Sequence, residues 1–111
     1  MATINVDLTK LVSSKVDLIS GRSFGESEAE KNAVLAHVKN HDKIVIKVDD
    51  QYVKAINDSF IKGFFSKVFS ELKTKDKVKE LFEIQANDYF IRLFDKNWTV
   101  MEALYTNQVS H

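Results

Sequence analysis

The sequence contains no cysteine and no proline, and only three of its 111 residues are glycine. Without cysteine there is no disulfide scaffold, no thiolate zinc site, no iron–sulfur cluster and no cysteine nucleophile, which fits a reducing compartment. An excess of either charge is missing as well: 16 Lys+Arg balance 16 Asp+Glu, for a formal net charge of zero. A nucleic-acid binder working through a global positive field is therefore not expected, although neutrality permits a local patch. No apolar run approaches the roughly 18 residues of a membrane span, and Met1 is not followed by a basic then apolar signal region. These absences lead to the expectation of a cytoplasmic protein with no membrane partner. Walker-type glycine patterns and nucleophile-elbow sequences are lacking too, so no residue set points to an enzyme, a cofactor or a metal.

What is present is apolar bulk. Hydrophobic residues make up 44% of the chain, with eight Phe beside three Tyr and one Trp. That exceeds what a disordered chain carries and predicts a Phe-rich core in a single domain spanning 1–111, with its core over about 2–105 and a loose tail over 106–111.

Periodicity orders the elements. Residues 2–11 alternate, with Ile4, Val6 and Leu8 on one face, and predict a strand. Residues 12–25 read as an irregular connection in which Gly21 and Gly25 bracket Arg22 and Phe24. A helix is expected from Glu26 to Asn40 with Val34, Leu35 and Val38 inward, then a β-branched strand over Lys43–Asp49. Residues 50–57 form a connection with two apolar anchors, Val53 and Ile56. Asn57, Asp58 and Ser59 are consecutive good caps for a second helix, in which Phe60, Ile61, Phe64, Phe65, Val68, Phe69 and Leu72 make one stripe. Gly63 lies off that stripe at a cost of about 1 kcal/mol, which implies a close backbone approach there. Lys73, Lys75, Lys77 and Lys79 suggest a solvated connection, followed by a strand over 81–86 and a last helix capped by Asn87–Asp88 that Asn97 could split. The pattern is an α/β domain: a mixed sheet of about four strands with helices mainly on one face.

Two segments carry a resemblance. Gly21-Arg22-Ser23-Phe24-Gly25 and Val53-x-x-Ile56-x-x-Ser59-Phe60-x-x-Gly63 resemble the Gly-Arg-x-x-Gly and Val-x-x-Ile-x-x-Ser-Phe elements of bacterial STAS-like proteins. Ile91-Arg92-Leu93-Phe94-Asp95 is similar to the third-helix segment of the related anti-sigma-factor antagonists, and the resemblance covers roughly 15–105. It implies a non-enzymatic interaction module that switches partners, one of them a GHKL-type ATPase or kinase. In those antagonists the loop before the second helix carries Asp-Ser-Ser/Thr-Gly, and the kinase phosphorylates its first hydroxyl residue. Here the matching residues are Asn57-Asp58-Ser59-Phe60, so Asp58 stands at the phosphorylated position and Phe60 replaces the glycine.

Asp58 has two readings: a charge that mimics the phosphorylated state at a helix N-terminus, or a plain cap. Ser59 is the remaining hydroxyl and the candidate phosphosite. The expected partner surface is Asp50, Asn57, Asp58, Ser59, Lys62 and Gly63. Arg22 is one of only two arginines; it either clamps an anion, as in a nucleotide sensor, or ties its loop to Asp49 or Asp50. His37 and His41, four residues apart, read as two surface histidines near a helix end, where a cation is favoured. A small inhibitor or antitoxin-like protein, for instance phage-encoded, is the other interaction-class reading. Homo-oligomerisation is compatible with all of these.

Overall fold

A computed structural model describes residues 2–107, with Asn107 by its backbone alone. Strand β1 runs only from Thr3 to Asp7. It ends early because the Asp7 carboxylate accepts the Thr9 N–H and starts a 3-10 turn over Leu8–Leu11. Leu8 therefore reaches the core from a turn and not from a strand. The supposedly irregular stretch holds a two-residue strand, β2, Leu18–Ile19. Gly21, at φ +109°, then leads straight into helix α1, Arg22–Lys31, a backbone angle that glycine adopts at little cost. The expected helix from Glu26 to Asn40 thus starts earlier, and it is broken: Ala33 is left-handed at φ +51°, and α2 resumes over Val34–Lys39.

Strand β3, Lys43–Lys47, is followed by a short β4, Ala55–Ile56, and by α3, Asp58–Leu72. The lysine segment is not a solvated connection but a helix, α4, Lys75–Leu81. Thr74 caps it through the Lys77 N–H, and Val78, fully buried, is the anchor that a lysine count overlooks. Strand β5, Phe82–Gln85, leads to α5, Asp88–Asn107, whose start is capped by Asn87, its side-chain Oδ1 accepting the Phe90 N–H. Asn97 does not split α5, and Thr106 belongs to its last turn and not to a tail; residues 108–111 lie outside the described residues.

The strands form two parallel sheets, β1-β3-β5 and β2-β4, in place of one mixed sheet of about four. Each connection within the larger sheet carries a helix, so its neighbours run parallel. The order is sequential, and right-handed crossovers stepping one way place their helices on one face. Burial agrees. Ile4 and Val6 lie in register with Ile44 and Ile46, and these with Phe82 and Ile84, on the covered face. Thr3, Asn5, Lys43, Lys47, Glu83 and Gln85 are exposed on the other, around a buried Val45 at its centre, and Lys43 pairs there with Glu83 at 3.6 Å.

The core is Phe-rich as expected. Phe60, Phe64, Phe65 and Phe69 of α3 meet Phe90, Phe94, Trp98 and Met101 of α5 over the sheet. α1 crosses α3 at two glycines: a Cβ on Gly25 would strike the Phe60 carbonyl and the Phe64 nitrogen, and one on Gly63 the Arg22 carbonyl. The close approach implied by Gly63 is therefore that of α1.

A buried, hydrogen-bonded carboxylate fixes the opposite end of the sheet. Asp42, 2% exposed, meets His37 Nδ1 at 2.7 Å and accepts the Ala2 N–H at 2.9 Å and the Asn40 amide at 3.1 Å. These donors, His37 foremost, hold its carboxyl at about 2, below the ordinary 3.8. A depressed folded-state value means that the stabilisation is complete above about pH 4 and lost as pH falls through about 2. Asp42→Asn should therefore lower the melting temperature at pH 7, and the gap to wild type should close between about pH 4 and 2. A gap of constant size over that range would show that the ionised carboxylate contributes nothing.

Candidate functional site

The C-terminal ends of β1, β3 and β5 open onto a cleft of about 430 Å³ lined by Asp7, Thr9, Lys47, Asp49, Asp50 and Asn87. Above it the chain from Asp49 to Asn57 is held down by Val53 and Ile56, both buried. Asp49 bends it by accepting the Gln51 N–H on its carboxylate and the Tyr52 and Val53 N–H groups on its carbonyl. Lys54 N–H donates to the Asp17 carbonyl and Asn57 N–H to the Ile19 carbonyl, extending the β2-β4 pairing. The loop is thus fixed on both sides before α3 begins.

At that helix start the roles of the three polar residues separate. Asn57 is the cap, its Oδ1 accepting the Ser59 N–H at 2.9 Å. Ser59 Oγ also donates to Asn57 Oδ1 at 3.0 Å and accepts the Gly21 N–H at 3.3 Å, which latches α1 to α3. Asp58, read as a plain cap or as a phosphate mimic, does not cap. It is the first helical residue, accepts the Asn97 side-chain amide at 3.0 Å, and has Lys96 Nζ at 3.9 Å. Asn97, 2% exposed, uses its second amide hydrogen bond on the Leu93 carbonyl, 2.9 Å away. Phe60, where the antagonists have glycine, is buried with its ring edge-on to Phe24 at 5.5 Å.

The expected surface residues divide accordingly. Asp50 is exposed and accepts from the Asn87 amide at 3.2 Å; Asn57 is exposed, and Asp58, Ser59 and Lys62 are half-buried. Gly63 is removed from the surface: it is buried under α1, and no partner reaches it. Asp50 and Asp58 do not converge on one point. Asp50 bonds Asn87, just before α5, and Asp58 bonds Asn97 within it, about 15 Å farther along the axis. Arg22 is likewise corrected: it stands in the first turn of α1, faces Glu26 at 3.7 Å and bonds neither Asp49 nor Asp50. The glycine-flanked anion loop is not formed, because Gly25 lies inside α1, packed on α3.

Two exposed aromatics escaped the sequence reading. Tyr52, 56% exposed, lies in the loop, and Tyr89, 61% exposed, opens α5 two residues after the Asn87 that bonds Asp50. Leu18, also exposed, lies on β2 beside β4. Only Tyr89 had a local signal in sequence, its place beside the Asn87–Asp88 cap, which is not distinctive. Chemically, the site offers hydrogen-bonding side chains and two exposed tyrosine faces. The sequential strand order also lacks the reversal point at which open α/β sheets form ligand crevices. No helix among the described residues is long and apolar enough to cross a membrane. No family model, no curated protein and no solved structure matches the chain.

Proposed function

We propose that the protein is a STAS-like interaction module that binds a protein partner, a GHKL-type ATPase or kinase, through the loop 50–58 and the start of α3. The observation that carries this reading is the bonding of the α3 N-terminus to both flanking helices. Ser59 is bonded to the turn before α1, and Asp58 to Asn97 of α5. A change of charge at either residue therefore alters a surface built by three helices, which is what a partner switch requires. Tyr52 and Tyr89 beside the loop supply exposed aromatic contact area.

In this reading Asp58 provides one standing negative charge at the helix N-terminus, and phosphorylation of Ser59 adds about two more. The phosphate would displace the Gly21 N–H from the hydroxyl and loosen α1 from α3. Calorimetric titration of a purified cognate ATPase tests it with Asp58→Ala, Ser59→Ala and Ser59→Asp. Asp58→Ala and Ser59→Asp should each change affinity by about tenfold or more, and Ser59→Ala far less. Equal affinities across the three variants and wild type would overturn the mechanism.

A further inference from the structure

Away from that rim, one edge of the larger sheet is open and fixed in shape. Lys43 N–H donates to the Ala2 carbonyl, so the alternation of a parallel ladder points the backbone groups of Ala2, Ile4 and Val6 at β3. It turns the N–H and C=O groups of Thr3, Asn5 and Asp7 outward, where they have no partner strand among the described residues. The strand is pinned at both ends, by Ala2 N–H on Asp42 and by Thr9, whose N–H bonds Asp7 and whose Oγ1 accepts the Asp49 N–H. The opposite edge differs, since α4 takes the Phe82 N–H on the Val78 carbonyl. β1 also carries none of the lysines, prolines or bulges that usually guard an edge.

A cleft of about 550 Å³ borders β1, lined by Asn5, Asp7, Lys10, Glu28, Lys31 and Lys47. Glu28 is 7% exposed, yet its Oε2 accepts no hydrogen bond among the described residues, with Lys31 Nζ 3.8 Å away. An oxygen buried without a donor in this way is costly.

We propose that this strand is β1 of a second copy, paired antiparallel about a two-fold axis at Asn5. In that register Thr3 lies opposite the second copy's Asp7, Ile4 opposite Val6, and Asn5 opposite itself. The outward groups of Thr3, Asn5 and Asp7 then meet their counterparts and exchange hydrogen bonds, and no charge faces its like. The apolar face continues across the junction through Ile4, which a single copy leaves partly exposed. The cleft carries both signs of charge, so the same patch on a second copy can complement it.

Asn5 allows a test that spares the fold, because its side chain is exposed and its N–H points outward. Sedimentation equilibrium should show a dimer for wild type. Asn5→Pro, which removes the outward N–H without taking a hydrogen bond from the β1–β3 ladder, should be monomeric with an unchanged circular dichroism spectrum. Asn5→Lys and Asn5→Asp should each weaken the dimer about fivefold, and an equimolar mixture of the two should restore it. The restoration survives as a test even if the proline variant misfolds. Wild type that stays monomeric up to about 1 mM, or a dimer indifferent to both charged variants, would overturn the proposal.

Discussion

Phe65→Ala is expected to cost about 3–5 kcal/mol, a large part of the stability of a domain this size. The ring is 0% exposed and lies where three layers meet. Its centroid is 4.9 Å from Phe82 on the sheet, 5.4 Å from Trp98 and 6.1 Å from Phe94 on α5. A cavity there cannot close by shifting one helix, since α3, α5 and β5 all border it. Urea denaturation measures the loss. Phe24→Ala is the control: that ring is 37% exposed and should cost much less. Equal losses for the two would place the centre of the core elsewhere.

Gly63→Ala is expected to destabilise by about 1–3 kcal/mol, although alanine in a helix interior ordinarily gains about 1 kcal/mol over glycine. The added methyl meets the Arg22 carbonyl, a backbone atom that can move only with α1. Gly25→Ala should behave alike, its methyl meeting the backbone of Phe60 and Phe64. The sign of the effect decides the matter in thermal melts: stabilisation by either alanine would mean that the two helices do not touch there. Because α1 is latched to α3 through Gly21 and Ser59, the same substitutions should also perturb the proposed partner surface.

How much of this was legible beforehand follows from which physical signals are local. The stripe from Phe60 to Leu72 is a period of one element, and α3 forms over Asp58–Leu72 as that period demands. The off-stripe Gly63 signalled a close approach, but its agent, the carbonyl of Arg22, belongs to another helix and leaves no mark at that spacing. Conversely, Gly25 read as a loop residue because glycine more often ends a helix than lines a helix crossing. The break at Ala33 was illegible for a related reason: alanine is the best helix former, and only tertiary packing holds it at φ +51°. The lysine run concealed α4 because one inward Val78 suffices to anchor two turns.

The site shows the same division. Asn57 as cap is a local matter of residue type, and it is where α3 begins. The bonds of Asp58 to Asn97 and of Asp50 to Asn87 span 39 and 37 residues and could not be read from spacing. His37 and Asp42 are only five residues apart, but the burial of Asp42 that makes their bond matter is tertiary; two surface histidines were expected and one instead donates to a buried carboxylate.

Amide hydrogen exchange on the isotopically normal protein, alone and with a purified GHKL-type ATPase, tests the proposed interaction most directly. The account predicts slowed exchange from Gln51 to Ser59 and around Gly21, with the β1 edge unchanged by the ATPase. No complex with the ATPase, or protection confined to segments away from that loop, would contradict it.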